Sequence, residues 1–295
     1  MAQERQALDI TAYSVTLLLI VLWGVQHVAI KAIVADVSPV TQAAIRTPLA
    51  AILLFLWARW QGIALFSRDG TLKMGLLCGL LFGVEFVLIY GGLAHTNASR
   101  MSVFVYLTPP LAALGLHFTV PQERLTVRQW IGVGLAFAGL ALAFAEGFLR
   151  GRSTWLGDLC GIGAAILWAA IIIMIRATRL ARITATKTLL YQLGVASLVL
   201  PLAAVLMGEA GVVAMTPAAV ASLAYQTVII AFASFLAWYW LLTRYSAAPL
   251  AVMLFPTPLF GVLAGVVFLG EPLSVELVFA AAFVGCGIAL VNWRS

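Results

Sequence analysis

The sequence predicts an all-α membrane protein of ten transmembrane helices, arranged as two inverted five-helix repeats. Three observations lead to this fold class: an extreme composition, ten apolar segments of spanning length, and a second half that echoes the first. Of the 295 residues, 63% are hydrophobic and 9% are charged, whereas a soluble domain carries about 25% charged residues. Within lipid every backbone polar group needs an internal partner, and the long apolar runs favour helices over the alternating pattern of a barrel.

The boundaries of the predicted spans come from charged residues and from Pro and Gly clusters. A helix needs roughly 20 mainly apolar residues to cross a bilayer. The first five spans are predicted near residues 12–34, 40–60, 71–94, 97–119 and 127–147. The second five are predicted near residues 155–176, 187–207, 217–241, 246–268 and 274–293. Because the first stretch is too long for a signal-peptide core, we expect it to stay as the first helix.

The distribution of Lys and Arg predicts the orientation of these spans. With the N-terminus inside, twelve of the 17 basic residues fall in cytoplasmic segments and four on the opposite side, while Arg46 lies within the second span. Cytoplasmic loops carry the excess of basic residues in membrane proteins. Both termini are therefore expected to face the cytoplasm, and the expected location of the chain is a bacterial inner membrane.

The two halves of the sequence, residues 1–150 and 151–295, match in register. A shift of 149 residues aligns Phe86 with Phe235, Tyr90 with Tyr239, Leu93 with Leu242, Thr108 with Thr257, Pro109 with Pro258 and Leu114 with Leu263. Because each half has five spans, an odd number, the second half is predicted to be inverted relative to the first. Inverted repeats place a site near the bilayer midplane and exchange their conformations to give alternating access.

Several classes of protein are not expected. The net charge of +6 comes from basic residues scattered singly, which does not indicate a nucleic-acid site. Cys78, Cys160 and Cys286 each lie alone in an apolar run and are expected to be free thiols without a metal. The sequence has no arrangement of catalytic His, Ser or paired carboxylates and no phosphate-binding glycine loop. We therefore expect neither an enzyme, nor a cofactor, nor an ATP-driven pump.

Short motifs recur in order along both halves. They are Trp-Gly-Val-Gln-His-Val-Ala-Ile-Lys at 23–31, Ser38-Pro39, Arg46, Thr108-Pro109-Pro110, Glu123, the Gly-rich stretch 132–139, Thr257-Pro258, Gly270-Glu271-Pro272 and Gly285 to Gly287. Together they resemble the EamA-type drug/metabolite transporters over essentially the whole chain. Within that group the chain looks most like the bacterial aromatic amino acid exporters called YddG.

The resemblance implies ten helices and export of aromatic and other neutral apolar amino acids. The implied partners are this small-molecule substrate and the lipid bilayer, and whether the chain acts as a monomer stays open. Efflux of another metabolite or drug is the alternative, and a non-transporting receptor or assembly factor is an alternative of a different class. In the first helix of each half the register is a shift of 145 residues, which aligns Trp23 with Trp168 and Lys31 with Arg176. One departure in this register is Ala169, which stands where the first half has Gly24. The second half also lacks a counterpart of Gln26-His27, so a role for that pair would not be duplicated by symmetry.

Charged residues inside the spans are the first candidates for the site. Glu85 lies in the middle of the third span, where insertion scales put an acidic side chain at roughly +2.5 to +3.5 kcal/mol. Arg46 and His27 lie at comparable depth, so a charge pair with Glu85 and a coupling site are both open. Arg46 could bind a substrate carboxylate, and His27 could titrate near neutral pH. A structural ion pair, or a hydrogen-bonded packing role for His27, explains the same residues.

Aromatic side chains are the candidates for lining a substrate cavity, because an apolar or aromatic ligand needs flat partners. Trp168 is the first choice, since it lies in mid-span. The other candidates are Trp23, Phe82, Tyr90, Tyr106, Tyr191, Gln192, Trp238 and Tyr239.

Prolines and glycines predict hinges and close helix contacts. Pro109 and Pro258 interrupt the fourth and ninth spans, and we expect them to act as hinges. Glycines spaced by four residues predict faces where another helix approaches closely. They are Gly75, Gly79 and Gly83, Gly157 and Gly161, and Gly261 and Gly265.

Overall fold

A computed structural model describes residues 9–65, 69–120, 124–149, 154–245, 253–254 and 256–292. Within them, the side chains of residues 144, 146–149, 239, 242, 243 and 292 are not described. The described residues are helical apart from short connections and one isolated antiparallel bridge between Val37 and Val212.

The helices follow the predicted spans. The first half contains α1 (Ile10–Lys31), α2 (Pro39–Trp60), α3 (Leu72–Leu93), α4 (Ala98–Val105), α5 (Thr108–Thr119) and α6 (Val127–Leu149). The second half contains α7 (Trp155–Ala177), a 3-10 turn (Arg179–Arg182), α8 (Ala185–Leu206), α9 (Pro217–Ala224), a π-helix (Tyr225–Ser234), α10 (Phe235–Arg244), α11 (Thr257–Leu269) and α12 (Val275–Asn292).

Seven helical segments of the described residues are long and apolar enough to cross a membrane. They are Ile10–Lys31, Pro39–Trp60, Leu72–Leu93, Ala98–Thr119, Trp155–Ala177, Ala185–Leu206 and Pro217–Trp238. Three further apolar helices are shorter, at Val127–Ala143, Thr257–Leu269 and Val275–Val291. The start of the predicted ninth span, at 246–252, lies outside the described residues. The fold is therefore that of an all-helical membrane protein with a helix at each predicted span.

The fourth span is interrupted just before Pro109, between α4 and α5. Proline has no N–H to donate to the carbonyl four residues earlier, which here belongs to Val105. The hydroxyl of Thr108 donates to that carbonyl instead, at 2.8 Å. At the start of α11, the hydroxyl of Thr257 donates to the carbonyl of Leu254 at 2.7 Å. The turns before the two prolines are thus stabilised in the same way.

The predicted close helix contacts are confirmed where α3 packs along α8. A Cβ on Gly75 would lie 2.4 Å from the Tyr191 ring, one on Gly79 2.5 Å from the Tyr191 carbonyl oxygen, and one on Gly83 2.9 Å from Val199. Only residues without a side chain fit there. The other two glycine pairs face α4 and the residues just before it. Gly157 meets Thr96, Gly161 meets Phe104, Gly261 meets Ser102 and Gly265 meets Ser99.

Candidate functional site

A row of aromatic rings lines one face of α3 in the middle of the bundle. Phe82, Phe86 and Tyr90 follow at intervals of four residues, with ring centroids 4.5 Å and 6.0 Å apart. From α2, the guanidinium of Arg46 lies over this row, with Cζ 4.5 Å from the Phe86 centroid and 5.3 Å from that of Tyr90. A cation over a ring face is attracted by the quadrupole of the ring, more strongly where water is excluded.

Two groups of opposite charge are buried in this region with unpaired atoms. Arg46 is 1% exposed and Glu85 is 3% exposed. Within the described part of the chain, Nε and Nη1 of Arg46 and Oε2 of Glu85 have no hydrogen-bond partner. His27 accordingly pairs elsewhere, with its Nδ1 2.8 Å from the hydroxyl oxygen of Ser102 on α4. Unpaired buried polar atoms are costly, and the hydrogen-bonding capacity of Arg46 and Glu85 is not fully used by the described residues.

Side-chain amides connect the aromatic row to the second half. The Tyr90 hydroxyl donates to Oε1 of Gln226 at 2.7 Å. Nε2 of Gln226 donates to Oε1 of Gln42 and to the hydroxyl of Ser222, both at 3.0 Å. Nε2 of Gln42 in turn donates to the carbonyl of Val37 at 2.9 Å. The chain of bonds fixes both amide orientations and joins α2, α3 and the π-helix.

A π-helix of ten residues, Tyr225–Ser234, carries the Gln226 end of this network. π-helical segments are rare and occur frequently at functional sites, because the wider turn moves side chains to another face. Ser234, at its other end, accepts a hydrogen bond from Nε1 of Trp23 at 2.9 Å. The hydroxyl of Thr227 is buried without a partner among the described residues.

A second group of aromatic rings lies where α1 meets α10. The Trp23 ring is 5.8 Å from that of Trp238 in an edge-to-face arrangement and 6.3 Å from that of Phe235. Phe235 also packs against the core cluster that contains Phe82, as does the partly buried Trp168. Five of the predicted aromatic residues thus lie in or beside the centre of the bundle: Trp23, Phe82, Tyr90, Trp168 and Trp238.

The remaining candidates are more dispersed. Tyr106 is buried at the break between α4 and α5, and Gln192 is buried on α8. Tyr191 lies near one end of the bundle, with its hydroxyl 3.4 Å from that of Thr71 and the Lys187 ammonium 5.8 Å from its ring. The side chain of Tyr239 lies outside the described residues.

Five contributors to the centre were absent from the predicted set: Gln42, Phe86, Gln226, Ser234 and Phe235. The two glutamines carried a signal, because an amide inside an apolar span is expensive unless it is hydrogen-bonded. Phe86 and Phe235 also had a signal, because the 149-residue shift aligns them with each other. Ser234 had no such signal in the sequence.

At the end of the bundle where α1 finishes, which we call the Lys31 end, buried polar contacts join the helices. Nη2 of Arg100 lies 2.5 Å from Oδ2 of Asp158, and each side chain is 2% exposed. The Thr96 hydroxyl donates to Oδ1 of Asp158 at 2.8 Å. The Lys31 ammonium donates to the carbonyls of Leu93 and Thr96. These contacts tie α1, α3, α4 and α7 together.

Carboxylates cap two helices at the same end. Glu209 accepts from the N–H of Thr41 in the first turn of α2 at 2.7 Å. Glu271 accepts from the N–H of Ala98 in the first turn of α4 at 2.7 Å. A carboxylate is favourable at a helix N-terminus because it satisfies free N–H groups and the positive end of the dipole. In both cases a residue of the second half caps a helix of the first.

The opposite end, which we call the Asp69 end, is more open. A cavity of about 450 Å³ lies there, lined by Ala64, Asp69, Thr71, Arg179, Arg182, Ile183, Thr184 and Lys187. Beside the start of α1, Oδ1 of Asp9 accepts from the N–H of Ala12 at 2.8 Å and from the hydroxyl of Tyr245 at 2.9 Å. The hydrogen bond from Ala12, followed by that from Tyr245, lowers the pKa of Asp9 below its usual value.

The model of the EamA-like transporter family matches residues 10–145 and 155–293 of this chain. Among curated proteins, the chain is 28% identical to the uncharacterized transporter YvbV of Bacillus subtilis (strain 168), over 94% of this chain and 90% of the relative. It is 25% identical to the uncharacterized transporter YoaV of the same organism, over 93% of each. An uncharacterized transporter of Archaeoglobus fulgidus is 27% identical over 82% of this chain and 84% of its own length.

A crystal structure of another protein has the same fold. It superposes with a TM-score of 0.66 over 95% of this chain and 96% of its own, at 18% sequence identity.

Proposed function

The chain belongs to the EamA-like transporter family, and from this premise we propose that it exports aromatic and other neutral apolar amino acids across a bacterial inner membrane. Its relatives are transporters and not enzymes, and its helices place it in the bilayer. One observation carries the choice of substrate: unpaired atoms of Arg46 and Glu85 lie buried beside a row of aromatic rings. This is also the substrate class of the exporters called YddG, to which we assign the chain.

An amino acid zwitterion complements the two unpaired groups. Its carboxylate can accept a charge-assisted hydrogen bond from an unpaired N–H of Arg46, at Nη1 or at Nε. Its ammonium can donate to Oε2 of Glu85. Its side chain then finds flat partners in the row from Phe82 to Tyr90 or in the group around Trp23. A substrate lacking either charge would leave one buried group unpaired.

The proposal includes two inverted five-helix repeats, residues 1–150 and 151–295, with both termini in the cytoplasm. Two contacts at opposite ends of the bundle support it. In each half, a carboxylate at the start of the first helix accepts a hydrogen bond from a residue just after the third long helix of the other half. Asp9 accepts from Tyr245 at one end, and Asp158 accepts from Thr96 at the other. Reciprocal contacts of this kind are expected when two halves are related by a pseudo-two-fold axis in the membrane plane.

Alternating access then means that the two ends open in turn. In the conformation described, buried polar contacts join four helices at the Lys31 end, whereas a cavity lies at the Asp69 end. Opening at the Lys31 end requires separation of Arg100 from Asp158. The interruptions before Pro109 and Pro258 are the proposed hinges, because each helix can bend there without breaking a backbone bond.

Counterflow in liposomes tests this function. Purified protein is reconstituted with each of the twenty amino acids inside, and uptake of labelled phenylalanine is followed with and without a proton gradient. We expect saturable exchange with aromatic and apolar amino acids, and loss of exchange in Arg46→Gln. The matched control is Leu198→Ala, a change at a lipid-facing position that is 76% exposed. Exchange with unrelated metabolites or drugs only would overturn the substrate, and binding without any flux would overturn transport.

A further inference from the structure

We infer that the cavity at the Asp69 end binds the phosphate of an anionic lipid headgroup. Its lining carries three basic side chains, Arg179, Arg182 and Lys187, against the single carboxylate of Asp69. Both arginines are exposed, whereas Lys187 is buried and its ammonium lies 2.7 Å from Oδ2 of Asp69. Asp69 therefore holds the lysine in place, and the net charge of the lining stays positive.

The neutral part of the lining suits the same ligand. The hydroxyls of Thr71 and Thr184 provide hydrogen-bonding groups at the wall. Thr184 is the N-cap of α8, so the positive end of that helix dipole faces this region as well. A phosphate oxygen placed among these groups would gain charge-assisted bonds from arginine, which binds phosphate in a bidentate manner.

The depth of the cavity favours a lipid over a dissolved anion. The cavity lies where α2 ends at Trp60, α3 begins at Leu72, α7 ends at Ala177 and α8 begins at Ala185, which is the level where the apolar spans stop. Trp60 is 80% exposed, as expected of a tryptophan in the headgroup region. Basic pockets between helices at this level are suited to anionic headgroups.

A path for an acyl chain starts at the mouth of the cavity. Directly after Thr71, the exposed row of Leu72, Leu76 and Leu80 runs along α3 toward the middle of the membrane, with exposed fractions of 59%, 46% and 45%. The opposite face of α3 is covered by α8, so this row is free to contact lipid. Headgroup and chain would thus be held by one continuous surface.

Binding of phosphatidylglycerol to the full-length protein tests the inference independently of transport. The probes are phosphatidylglycerol and phosphatidylcholine of equal chain length, titrated onto delipidated protein and counted by native mass spectrometry. Wild type should prefer phosphatidylglycerol, and Arg179→Gln/Arg182→Gln should bind it about 30-fold more weakly, from about 1 kcal/mol per basic residue. The matched control, Arg124→Gln/Arg128→Gln, removes two basic residues outside the cavity and should bind like wild type.

A charge-restoring variant and a salt titration separate binding of the phosphate from misfolding. Arg179→Lys/Arg182→Lys should restore binding, since lysine also binds phosphate, and this separates loss of charge from misfolding. High salt should weaken the preference of wild type, because the screening length falls from about 10 Å at 0.1 M to about 3 Å at 1 M. Equal binding of the two lipids, or unchanged binding by the glutamine variant, overturns the inference. Occupation of the site by inorganic phosphate alone, with no gain from the lipid, assigns it to a free anion and overturns the lipid.

Discussion

Arg46 and Glu85 are held in the bundle by the residues around them and not by each other. The guanidinium lies over Phe86 and Tyr90, and no ion pair among the described residues joins it to the carboxylate. A pair that only fixed helix packing would be expected to bond directly, since that is how two buried charges are compensated. Their separation, with unpaired atoms on both, favours a role in binding a ligand that carries both charges.

Replacement of the Glu85 carboxylate tests this role at the residue scale. Glu85→Gln keeps the shape of the side chain but removes the charge that would bind an ammonium. Because a hydrogen bond to a charged group contributes about 1.5–3 kcal/mol, export of amino acids should fall roughly tenfold or more. Counterflow of labelled phenylalanine measures this.

The fold of the same variant is the control. Its elution as a single species and its thermal unfolding in detergent should match wild type. Unchanged transport together with unchanged folding would remove Glu85 from the mechanism.

The residues of the centre were visible in the sequence to different degrees. Glu85 and Arg46 were predicted because a charge inside an apolar span is costly wherever it lies. Their surroundings were not, because the contacts are non-local: Gln226 meets Gln42 across 184 positions of the chain. Nothing near Gln226 in the sequence indicates its partner. The contact of Tyr191 with α3 is non-local in the same way, since it depends on the tertiary packing of α8 against α3.

The contact of α3 with α8 allows a prediction at the scale of elements. In Gly79→Ala the new Cβ would lie 2.5 Å from the carbonyl oxygen of Tyr191, and backbone atoms there cannot yield easily. Forcing an extra methyl group into a tight contact costs typically 1–3 kcal/mol, so the thermal midpoint of this variant should fall. Unfolding in detergent micelles, followed by fluorescence, measures the shift.

Gly194→Ala provides the matched control on α8. Nothing lies within 4 Å of a Cβ at Gly194, so the same methyl group has room there. Alanine favours a helix by about 1 kcal/mol over glycine, which makes a neutral or stabilising outcome the expectation. Equal destabilisation by both changes would mean that the close approach of α3 and α8 is not what requires glycine.

Pro109 and Pro258, which follow the interrupted turns, give a second prediction at this scale. Pro109→Ala and Pro258→Ala restore the missing N–H, and proline in a helix interior costs about 3 kcal/mol relative to alanine. Each change should let a straight helix compete with the bent one and so slow the conformational exchange. Turnover in counterflow should fall while binding of substrate stays near wild type. Normal transport by both variants would show that neither proline is a hinge.

Helix positions were largely predicted from the sequence, but their internal irregularities were not. The length of the apolar segments, together with the charged residues between them, predicted the bounds of α1 and α2 to within a few residues. Pro109 marked the interruption of the fourth span because the loss of its N–H is a local property. The π-helix at Tyr225–Ser234 had no such mark, since its wider turns depend on what packs around it.

The location of the two chain ends is the first prediction for the whole molecule. The proposed ten spans, with a basic excess on the N-terminal side, predict that both ends lie in the cytoplasm. Fusions of a fluorescent reporter that matures only in the cytoplasm, and of one active only outside it, should both report a cytoplasmic location at either end. Termini on different sides would exclude an even number of spans, and the inverted repeat with it.

Two carboxylate contacts at opposite ends of the bundle give the final prediction. At the Lys31 end Asp158 is paired with buried Arg100 as well as Thr96, whereas at the opposite end Asp9 is exposed and bonds Tyr245. The first contact should therefore bias the protein toward closure at the Lys31 end. Since the pKa of Asp9 is lowered, the stabilisation from its contact is complete at neutral pH and is lost only as pH falls through that lowered pKa.

Cys160 provides a reporter of this closure. It lies two residues from Asp158 and is only partly buried, and a Cβ on Gly92 of α3 would lie 2.7 Å from its Cβ. In a background of Cys78→Ser and Cys286→Ser, Arg100→Gln/Asp158→Asn should raise the rate at which a membrane-impermeant maleimide labels Cys160. The double change avoids leaving one charge buried alone, which would cost about 3–5 kcal/mol. Asp9→Asn should leave that rate unchanged or lower it, because it loosens the opposite end. Equal acceleration by both changes would mean that the two ends do not open in turn.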